Sequence, residues 1–437
     1  LAQASRKQPP REHPAEMLGG RWKLIGLLVC ISAVLVCNWT AAGLDIFLQV
    51  AKMTIFRHDV ELQGNSCIYL NARLANKGVD IQNLGGAWGV VGSAVTAMRR
   101  HPDDRRVQVL CGQALESIAL FNRKQSIAVE RAGGIHAVID ALRRFPDGRH
   151  VQMLTACLSS FNDHVPENRP IILKAGGIDL IFKAMRNFYN DSEVLFRTGC
   201  AISATSGDPG VAAAMSANGG VAFLMQMMRD HLKSWRVGQE IMQATRNMMH
   251  QGTQYREELL AHGFAENVVA TIKAEMHERG TPTIGSTNLA MLAFKNRTLQ
   301  DRLLQLGAME TVLDGLKTYS ALDTSGFGGT TISDVWPTLP SGAQAIWCMA
   351  RDNADAQTRL EMAGGVDLLG KLMALNPTYA NFLGYACATL GDVARGNETR
   401  VAELARAGVP DSCLPHLRGQ FSSMVDIPRL ERQIGRF

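Results

Sequence analysis

The chain has 437 residues, of which 46% are hydrophobic and 19% are charged, a balance typical of a folded protein with a buried core. Its formal net charge of +5 is small for this length, so charge gives no reason to expect nucleic-acid binding. The nine cysteines contain no Cys-x-x-Cys pair and no Cys/His cluster, which argues against a zinc site. Three of them recur at similar positions of a repeat and are predicted to be small buried apolar side chains, namely Cys111, Cys157 and Cys200.

The N-terminal region is predicted to hold a membrane anchor. Residues 1–23 form a basic segment, in which five Lys or Arg against two Glu give a charge of +3. Residues 24–44 are uncharged and mostly apolar, and as a helix this stretch is about 31 Å long, which matches a bilayer core. We predict a retained transmembrane helix at 24–44. A secretory signal peptide and a buried core helix are the two other interpretations of the same stretch.

The charges that follow this span suggest an orientation. Two basic and three acidic residues between Asp45 and Glu61 give −1, so the positive-inside rule places the rest of the chain across the membrane from the N-terminus. Residues 45–85 are predicted to connect the anchor to the remainder, with breaks at 64–66 and 76–78.

A glycine-centred motif then recurs along the chain. Arg131-Ala132-Gly133-Gly134-Ile135 returns as Lys174-Ala175-Gly176-Gly177-Ile178, and later copies are looser. The last glycine of each copy lies at 134, 177, 220, 263, 307, 365 and 408, in steps of 43, 43, 43, 44, 58 and 43. Such a period indicates a helical solenoid. Each repeat is predicted to hold a short helix that ends at the glycine pair, where positive φ is tolerated, and then a second and a third helix.

The step of 58 contains an insertion. Its extra residues lie within 317–342, where Ser, Thr, Gly and Pro cluster, and they predict a loop between the second and third helices of that repeat. Insertions in solenoids often bear contacts, although a plain surface loop is the simpler interpretation. Residues 86–417 are therefore predicted to form one repeat domain, and residues 418–437 a C-terminal tail.

These motifs resemble the armadillo repeat. The stretch from Gln125 to Ile135 is similar to the junction of its first and second helices, and Ala114 to Ala119 is similar to its third helix. The resemblance covers roughly Val90 to Leu417. It implies an all-α, armadillo-type α-solenoid of about seven repeats with a period near 43, here preceded by one transmembrane helix.

No motif points to catalysis. The chain contains no phosphate-binding Gly-x-x-x-x-Gly-Lys-Ser/Thr, no His-Glu-x-x-His and no Gly-x-Ser-x-Gly. A glycine-rich run at 326–329 lies in the predicted inserted loop and lacks the strand and helix of a nucleotide site. We therefore expect a protein that is not an enzyme and that uses no cofactor and no metal.

The resemblance also implies where a partner binds. Peptide-binding armadillo proteins carry Trp and Asn on the third helices, which line the concave face, and the Asn amides hold an extended peptide. Here the matching Asn position in one repeat is Arg246 or Asn247, so Asn247 is the one candidate remnant of the Asn ladder. The loss of the other Asn side chains disfavours peptide gripping and suits a folded partner. The other matching positions are Ser117, Ser160, Ser203, Met291, Cys348 and Asp392.

Aromatic and methionine side chains offer two further candidates for partner contact. Trp347 retains a ladder position, and the predicted inserted loop adds Phe327 and Trp336. The alternative is that Trp347 packs into its own repeat while Trp336 covers the base of the loop. The Met-rich stretch 215–249 is either core filling or an adaptable contact surface.

We expect a non-catalytic scaffold or accessory subunit of a membrane protein complex. The alternative is a membrane-anchored recruitment adaptor that binds soluble partners transiently. The expected partners are protein subunits and, through 24–44, the lipid bilayer, but not nucleic acid. By analogy with anchored armadillo proteins, the expected location is a mitochondrial membrane, with another organelle membrane as the alternative. The chain also matches the N-glycosylation acceptor pattern at Asn38, Asn190, Asn296 and Asn397.

Overall fold

The computed structural model describes residues 41–75, 77–162, 164–278, 280–320 and 338–395, and this part of the chain contains helices but no strand. It holds 23 α-helices, numbered α1 to α23, and one 3-10 turn at Pro166–Asn168. The chain divides into two compact units, unit 1 with residues 1–180 and unit 2 with residues 181–437.

Unit 1 contains the first nine helices and the start of the tenth. These are α1 (Ala41–Ile55), α2 (Val60–Leu74), α3 (Val79–Ala87), α4 (Val90–Arg100), α5 (Arg105–Ala119), α6 (Arg123–Arg131), α7 (Gly134–Arg144), α8 (Val151–Asn162), α9 (Arg169–Lys174) and α10 (Gly177–Asn187). The division between the units falls inside α10.

Unit 2 continues with helices of the same kinds. These are α11 (Ser192–Thr205), α12 (Pro209–Ala217), α13 (Gly220–Asp230), α14 (Trp235–Gln251), α15 (Thr253–Ala261), α16 (Phe264–Ala274), α17 (Gly280–Ala293), α18 (Arg297–Gln305), α19 (Ala308–Ser320), α20 (Thr338–Ala350), α21 (Ala354–Met362), α22 (Gly365–Leu375) and α23 (Ala380–Ala394).

From α3 onward the helices come in threes, as the sequence period predicts. The first helices are α3, α6, α9, α12, α15, α18 and α21, and each is followed by a second and a third helix. The third helix is the longer of these two in every repeat except the one that begins with α18. In α7, Ile135, Val138, Ile139 and Leu142 are all buried, because their spacing places them on one face of the helix. The third helices pack side by side, α5 with α8 in unit 1, and α11, α14, α17, α20 and α23 in turn in unit 2.

The segment 45–85, expected to be a connector, contains most of α1, all of α2 and most of α3. Helix α1 packs on the second helix α4, and α2 packs on the third helix α5. Gln63 of α2 donates to the carbonyls of Met53 and Phe56 at 2.9 and 3.1 Å. Gln108 of α5 makes the same two bonds at the end of α4. Helices α1 and α2 therefore take the places of a second and a third helix.

The two glycines of the repeated motif have different roles. Gly176 has φ +76°, whereas Gly177 is the first residue of α10 and has no positive φ. The positive φ predicted for the glycine pair is therefore found at Gly176 and not at Gly177, the marker glycine. A Cβ atom on Gly177 would lie 3.0 Å from the Ile172 carbonyl oxygen and 2.7 Å from the Ile172 Cγ2. This residue is glycine because the first helix passes too close for a side chain.

A side-chain link joins the N-cap of one first helix to the preceding repeat. Asn122 and Asn353 are N-caps whose side-chain oxygens accept from backbone amides three residues later. Their Nδ2 groups donate to Gln82 at 3.1 Å and to Gln300 at 3.2 Å. Each Gln is the fourth residue of the first helix in the preceding repeat. Its side-chain amide donates to two carbonyls at the end of that repeat's third helix, just before the Asn in the chain. This Gln–Asn link ties one repeat to the next.

The cysteines differ from expectation at one position. Cys111 forms a disulfide with Cys67, which joins α5 to α2, so the prediction that Cys111 is a small unpaired apolar residue is wrong. Cys387 is also disulfide-bonded. Cys157, which is buried, and Cys200, which is half-buried, carry free thiols. Sequence could not pair Cys67 with Cys111 because the helical position of Cys67 was not recognised.

The membrane span predicted at 24–44 lies outside the described residues, except for Ala41 to Leu44 at the start of α1. Within the described ranges, no single helix is long and apolar enough to cross a bilayer. Taken together, α12 and α13 have the length and apolar composition of a membrane span, but the two helices meet at an angle of 78°.

The Met-rich stretch belongs to the core of unit 2. Its methionines are at most 8% exposed, so the interpretation as core filling is confirmed for Met215, Met225, Met227, Met228, Met242, Met248 and Met249. Unbranched thioether side chains suit this role because they fill irregular space between helices.

Candidate protein-interaction surface

The candidate surface is the layer of third helices in unit 2. Because α11, α14, α17, α20 and α23 pack consecutively, residues at one repeat position form a row across the layer. Most of the predicted contact residues lie on these helices. The exceptions among the described ones are Ser117 on α5 and Ser160 on α8, which lie in unit 1 and are buried.

Asn247, the remnant of the Asn ladder, is used inside the layer. Its Nδ2 donates to the Ser203 carbonyl at 2.9 Å and to the Ser206 hydroxyl at 3.3 Å. The Ser203 hydroxyl in turn bonds the carboxylate of Glu240. These bonds join α11 to α14, so the amide that the resemblance assigns to peptide gripping serves to hold two repeats together.

Arg246 has a different environment from its neighbour. Its guanidinium is half-buried, and within the described residues its Nε is buried without a hydrogen-bond partner. Desolvation by burial lowers the pKa of Arg246. An acceptor supplied by a partner would therefore satisfy a buried donor that the described repeats leave unsatisfied.

Trp347 lies at the centre of an aromatic row that crosses three third helices. It is only 4% exposed, and its ring centroid is 6.1 Å from that of Phe294 and 5.8 Å from that of Tyr385. The Arg351 guanidinium lies 5.0 Å from the Trp347 ring centroid, and the Lys295 ammonium lies 5.3 Å from that of Phe294. Phe294 is 43% exposed, so this side chain, and not Trp347, is the solvent-accessible part of the row.

The remaining predicted contact residues are not assembled with this row in the described structure. Asp392 on α23 is buried and forms an ion pair with Arg395. Phe327 and Trp336 lie outside the described residues. The insertion predicted at 317–342 is helical at both ends, because α19 continues to Ser320 and α20 begins at Thr338.

Two exposed features were missed in the sequence. Phe294 follows the end of α17 and does not occupy a Trp or Asn position of the armadillo ladder. The only sequence signal for it is its place in Phe294-Lys295-Asn296, directly before a first helix. The second feature joins α11 to α14. Arg236 lies 3.6 Å from the Phe196 ring centroid and pairs with Glu193, beside a Trp235 that is 37% exposed. Such pairs across repeats are not visible in a linear sequence.

The described residues show no activated nucleophile among the free thiols. Burial raises the pKa of the Cys157 thiol well above its ordinary value and that of Cys348 to about 12, which keeps both protonated. The Cys200 pKa is also raised, chiefly by burial and then by Glu240. Within the ranges described, no group of three or more His, Cys, Asp or Glu side chains is placed to hold a metal ion.

The three-helix repeat, with its glycine pair between the first and second helices, defines an armadillo-like repeat protein, a class that typically serves as a protein-interaction scaffold. No protein-family model matches the chain, and no curated protein matches it. Among solved structures the chain is similar to an engineered protein from the Northeast Structural Genomics Consortium. That likeness has a TM-score of 0.70 and 20% identity, and it covers 89% of this chain and 88% of the other. It shows the fold alone.

Two designed armadillo repeat proteins are also similar. One, YIII(Dq.V1)4CPAF in complex with the peptide (KR)4, has a TM-score of 0.47 and 15% identity, over 59% of this chain and 99% of that chain. The other, YIII(Dq)4CqI, has a TM-score of 0.48 and 18% identity, again over 59% and 99%. At these TM-scores the two likenesses carry no conclusion about this chain's ligands.

Proposed function

We propose that this chain is a non-catalytic scaffold, an accessory subunit of a membrane protein complex. The third helices of unit 2 are the docking surface in this proposal, and residues 24–44 hold the chain in the bilayer of an organelle. A mitochondrial membrane is the location suggested by analogy. The observation that carries the proposal is the aromatic row, in which an exposed Phe294 contacts a buried Trp347.

The row has the composition of an interaction hot spot. An exposed aromatic ring supported by buried rings offers a large apolar area at little cost in side-chain freedom. Lys295 and Arg351 lie against the same rings, so a partner that brings carboxylates beside an apolar patch would match both components.

A folded partner fits this surface better than an extended peptide. Peptide gripping needs side-chain amides that are free to bond a backbone, whereas Asn247 donates its amide to Ser203 and Ser206. The half-buried Arg246, beside Asn247 on α14, offers one site for an acidic group of the partner. Support therefore comes from a small number of charged and aromatic anchors, as in protein–protein interfaces.

The proposal is tested by isolating the tagged full chain from membranes in mild detergent and identifying the proteins that accompany it. Phe294→Ala is expected to weaken the association by about 2 kcal/mol, the size of a hot-spot truncation. Phe121→Ala is the matched control, because Phe121 is 66% exposed and follows a third helix in unit 1. Equal retention of partners by the two variants would contradict the proposed surface.

The same preparation separates a subunit from an adaptor. A subunit should migrate with its complex in mild detergent at high salt, because apolar burial is not weakened by screening. A transient adaptor should be lost under these conditions. Co-migration only at low salt would therefore favour the adaptor and contradict the subunit.

A further inference from the structure

Two observations point to an oxidising compartment for the repeats. Cys67 and Cys111 are disulfide-bonded and fully buried in unit 1, and Cys387 in unit 2 is disulfide-bonded as well. Disulfides persist in secretory and other oxidising compartments and are rare in the cytosol. On the proposed function, in which residues 24–44 span the membrane, the charge difference of +3 before and −1 after this span favours repeats on the side opposite the N-terminus.

One N-cap asparagine differs from its two equivalents. Asn122 and Asn353 are 4% and 0% exposed, and their Nδ2 groups bond Gln82 and Gln300. Asn296 caps α18 in the same way, since its Oδ1 accepts from the Leu299 amide at 3.1 Å. It is only half-buried, however, and within the described residues its Nδ2 has no hydrogen-bond partner.

The cause is a single substitution in the preceding repeat. Gln82 and Gln300 are the fourth residues of α3 and α18, and Arg256 is the fourth residue of α15. A guanidinium has only donors, so Arg256 offers no acceptor to the amide of Asn296. The Gln–Asn link is therefore missing at this one junction among the three, and the Asn296 amide nitrogen remains unused.

The same asparagine begins the acceptor sequence Asn296-Arg297-Thr298. Arg297 and Thr298 are exposed, and Asn296 follows the exposed Phe294 and the positive-φ Lys295 in the loop between α17 and α18. A surface loop with an accessible Asn-x-Thr is what N-glycosylation requires. Neither Asn122-Arg123-Lys124 nor Asn353-Ala354-Asp355 has the required Ser or Thr.

We propose that Asn296 carries an N-linked oligosaccharide and that the repeats face the lumen of the secretory pathway. This proposal keeps the membrane anchor of the proposed function but takes its alternative location, another organelle membrane, in place of the mitochondrial one. The donor is a lipid diphosphate-linked oligosaccharide. Asn296 Nδ2 forms a bond to the anomeric carbon of the sugar and loses one proton, while the bond between that carbon and the diphosphate oxygen breaks and the lipid diphosphate leaves. Oδ1 remains available to cap α18, so the modification leaves the fold intact.

The experiment uses the full chain made in eukaryotic cells, analysed with and without an amidase that removes N-linked glycans. The wild type should shift in mobility, and Asn296 should be recovered as Asp by peptide mass. Asn296→Gln and Thr298→Ala should lose the glycan at Asn296, and Thr298→Ala retains the N-cap if the first variant folds poorly. Thr298→Ser should retain that glycan.

Three outcomes would overturn the proposal. The first is a glycan that maps to Asn190 and not to Asn296. The second is no glycan although Cys67 and Cys111 resist alkylation, which places the repeats in an oxidising compartment without N-glycosylation, such as the mitochondrial intermembrane space. The third is ready alkylation of both Cys67 and Cys111 when the chain, as isolated from cells, is unfolded without a reducing agent.

Because Asn296 is two residues from Phe294, partner recovery is also measured for Thr298→Ala. Partners that are retained although the glycan is lost show that the glycosylation proposal and the docking proposal are independent.

Discussion

At the residue scale, the adjacent glycines Gly176 and Gly177 are required for different physical reasons. Gly176 adopts the left-handed conformation, and the nearest atom to an added Cβ is 3.8 Å away, so only the backbone conformation disfavours a side chain. Gly177 has an ordinary helical conformation but no room, because Ile172 and Ile139 lie within 3.2 Å of an added Cβ.

Asparagine distinguishes these two causes. We expect Gly176→Ala to lower the free energy of unfolding by about 1–2 kcal/mol and Gly176→Asn by less, because Asn tolerates the left-handed region. Gly177→Ala should cost about 1–3 kcal/mol through overpacking, and Gly177→Asn more. Urea unfolding measures all four variants. An equal loss for Gly176→Ala and Gly176→Asn would show that conformation is not the reason for the first glycine.

The N-cap asparagines give a second prediction, measured on protein without glycan. Asn353→Ala removes a helix cap and leaves the buried Gln300 side chain without its donor, so we expect a loss of about 2–3 kcal/mol. Asn296→Ala removes only the cap, for about 1 kcal/mol. Chemical unfolding of the two variants beside wild type checks this, and equal losses would exclude a contribution from the Gln–Asn link.

At the scale of elements, the third helices of unit 2 are held together by the aromatic row. Trp347 on α20 contacts Phe294 after α17 and Tyr385 on α23, so one side chain couples three repeats. The sequence placed Trp347 on the third helix but left open whether it contacts a partner or packs into its own repeat, because a linear motif does not show which neighbouring side chains cover a position.

This arrangement predicts opposite effects of two aromatic truncations. Trp347→Ala should destabilise unit 2 by about 3–5 kcal/mol, since it empties a buried site. Phe294→Ala should change stability by less than about 1 kcal/mol and act on partner binding instead. Thermal unfolding followed by circular dichroism separates the two, and a stable Trp347→Ala protein would contradict the coupling role.

At the scale of the whole molecule, the described helices begin at Ala41, close to the end of the predicted span. Removal of residues 1–40 therefore leaves every described helix in place. It also retains the ion pair between Asp45 on α1 and Arg73 on α2. We expect the shortened chain to lose carbonate-resistant membrane association while its helical signal per residue persists. Continued resistance to carbonate extraction would contradict the single anchor.

The sequence predicted the repeat more fully than it predicted the surface. The spacing of the glycine pairs marked the first and second helices because the turn between them requires glycine at a fixed place. Helices α1 and α2 were missed because they lack such a pair, and with them the partner of Cys111. The role of Phe294 was missed because its exposure depends on how α17 packs against α20.

The Gln–Asn link also bears on how the repeats open. Where it is present, a repeat that frays deprives the next one of a completed N-cap, so adjacent repeats are expected to unfold cooperatively. At Asn296 the preceding repeat contributes no acceptor, and the coupling across that junction is weaker. Amide hydrogens at the start of α18 should therefore exchange before those at the start of α21.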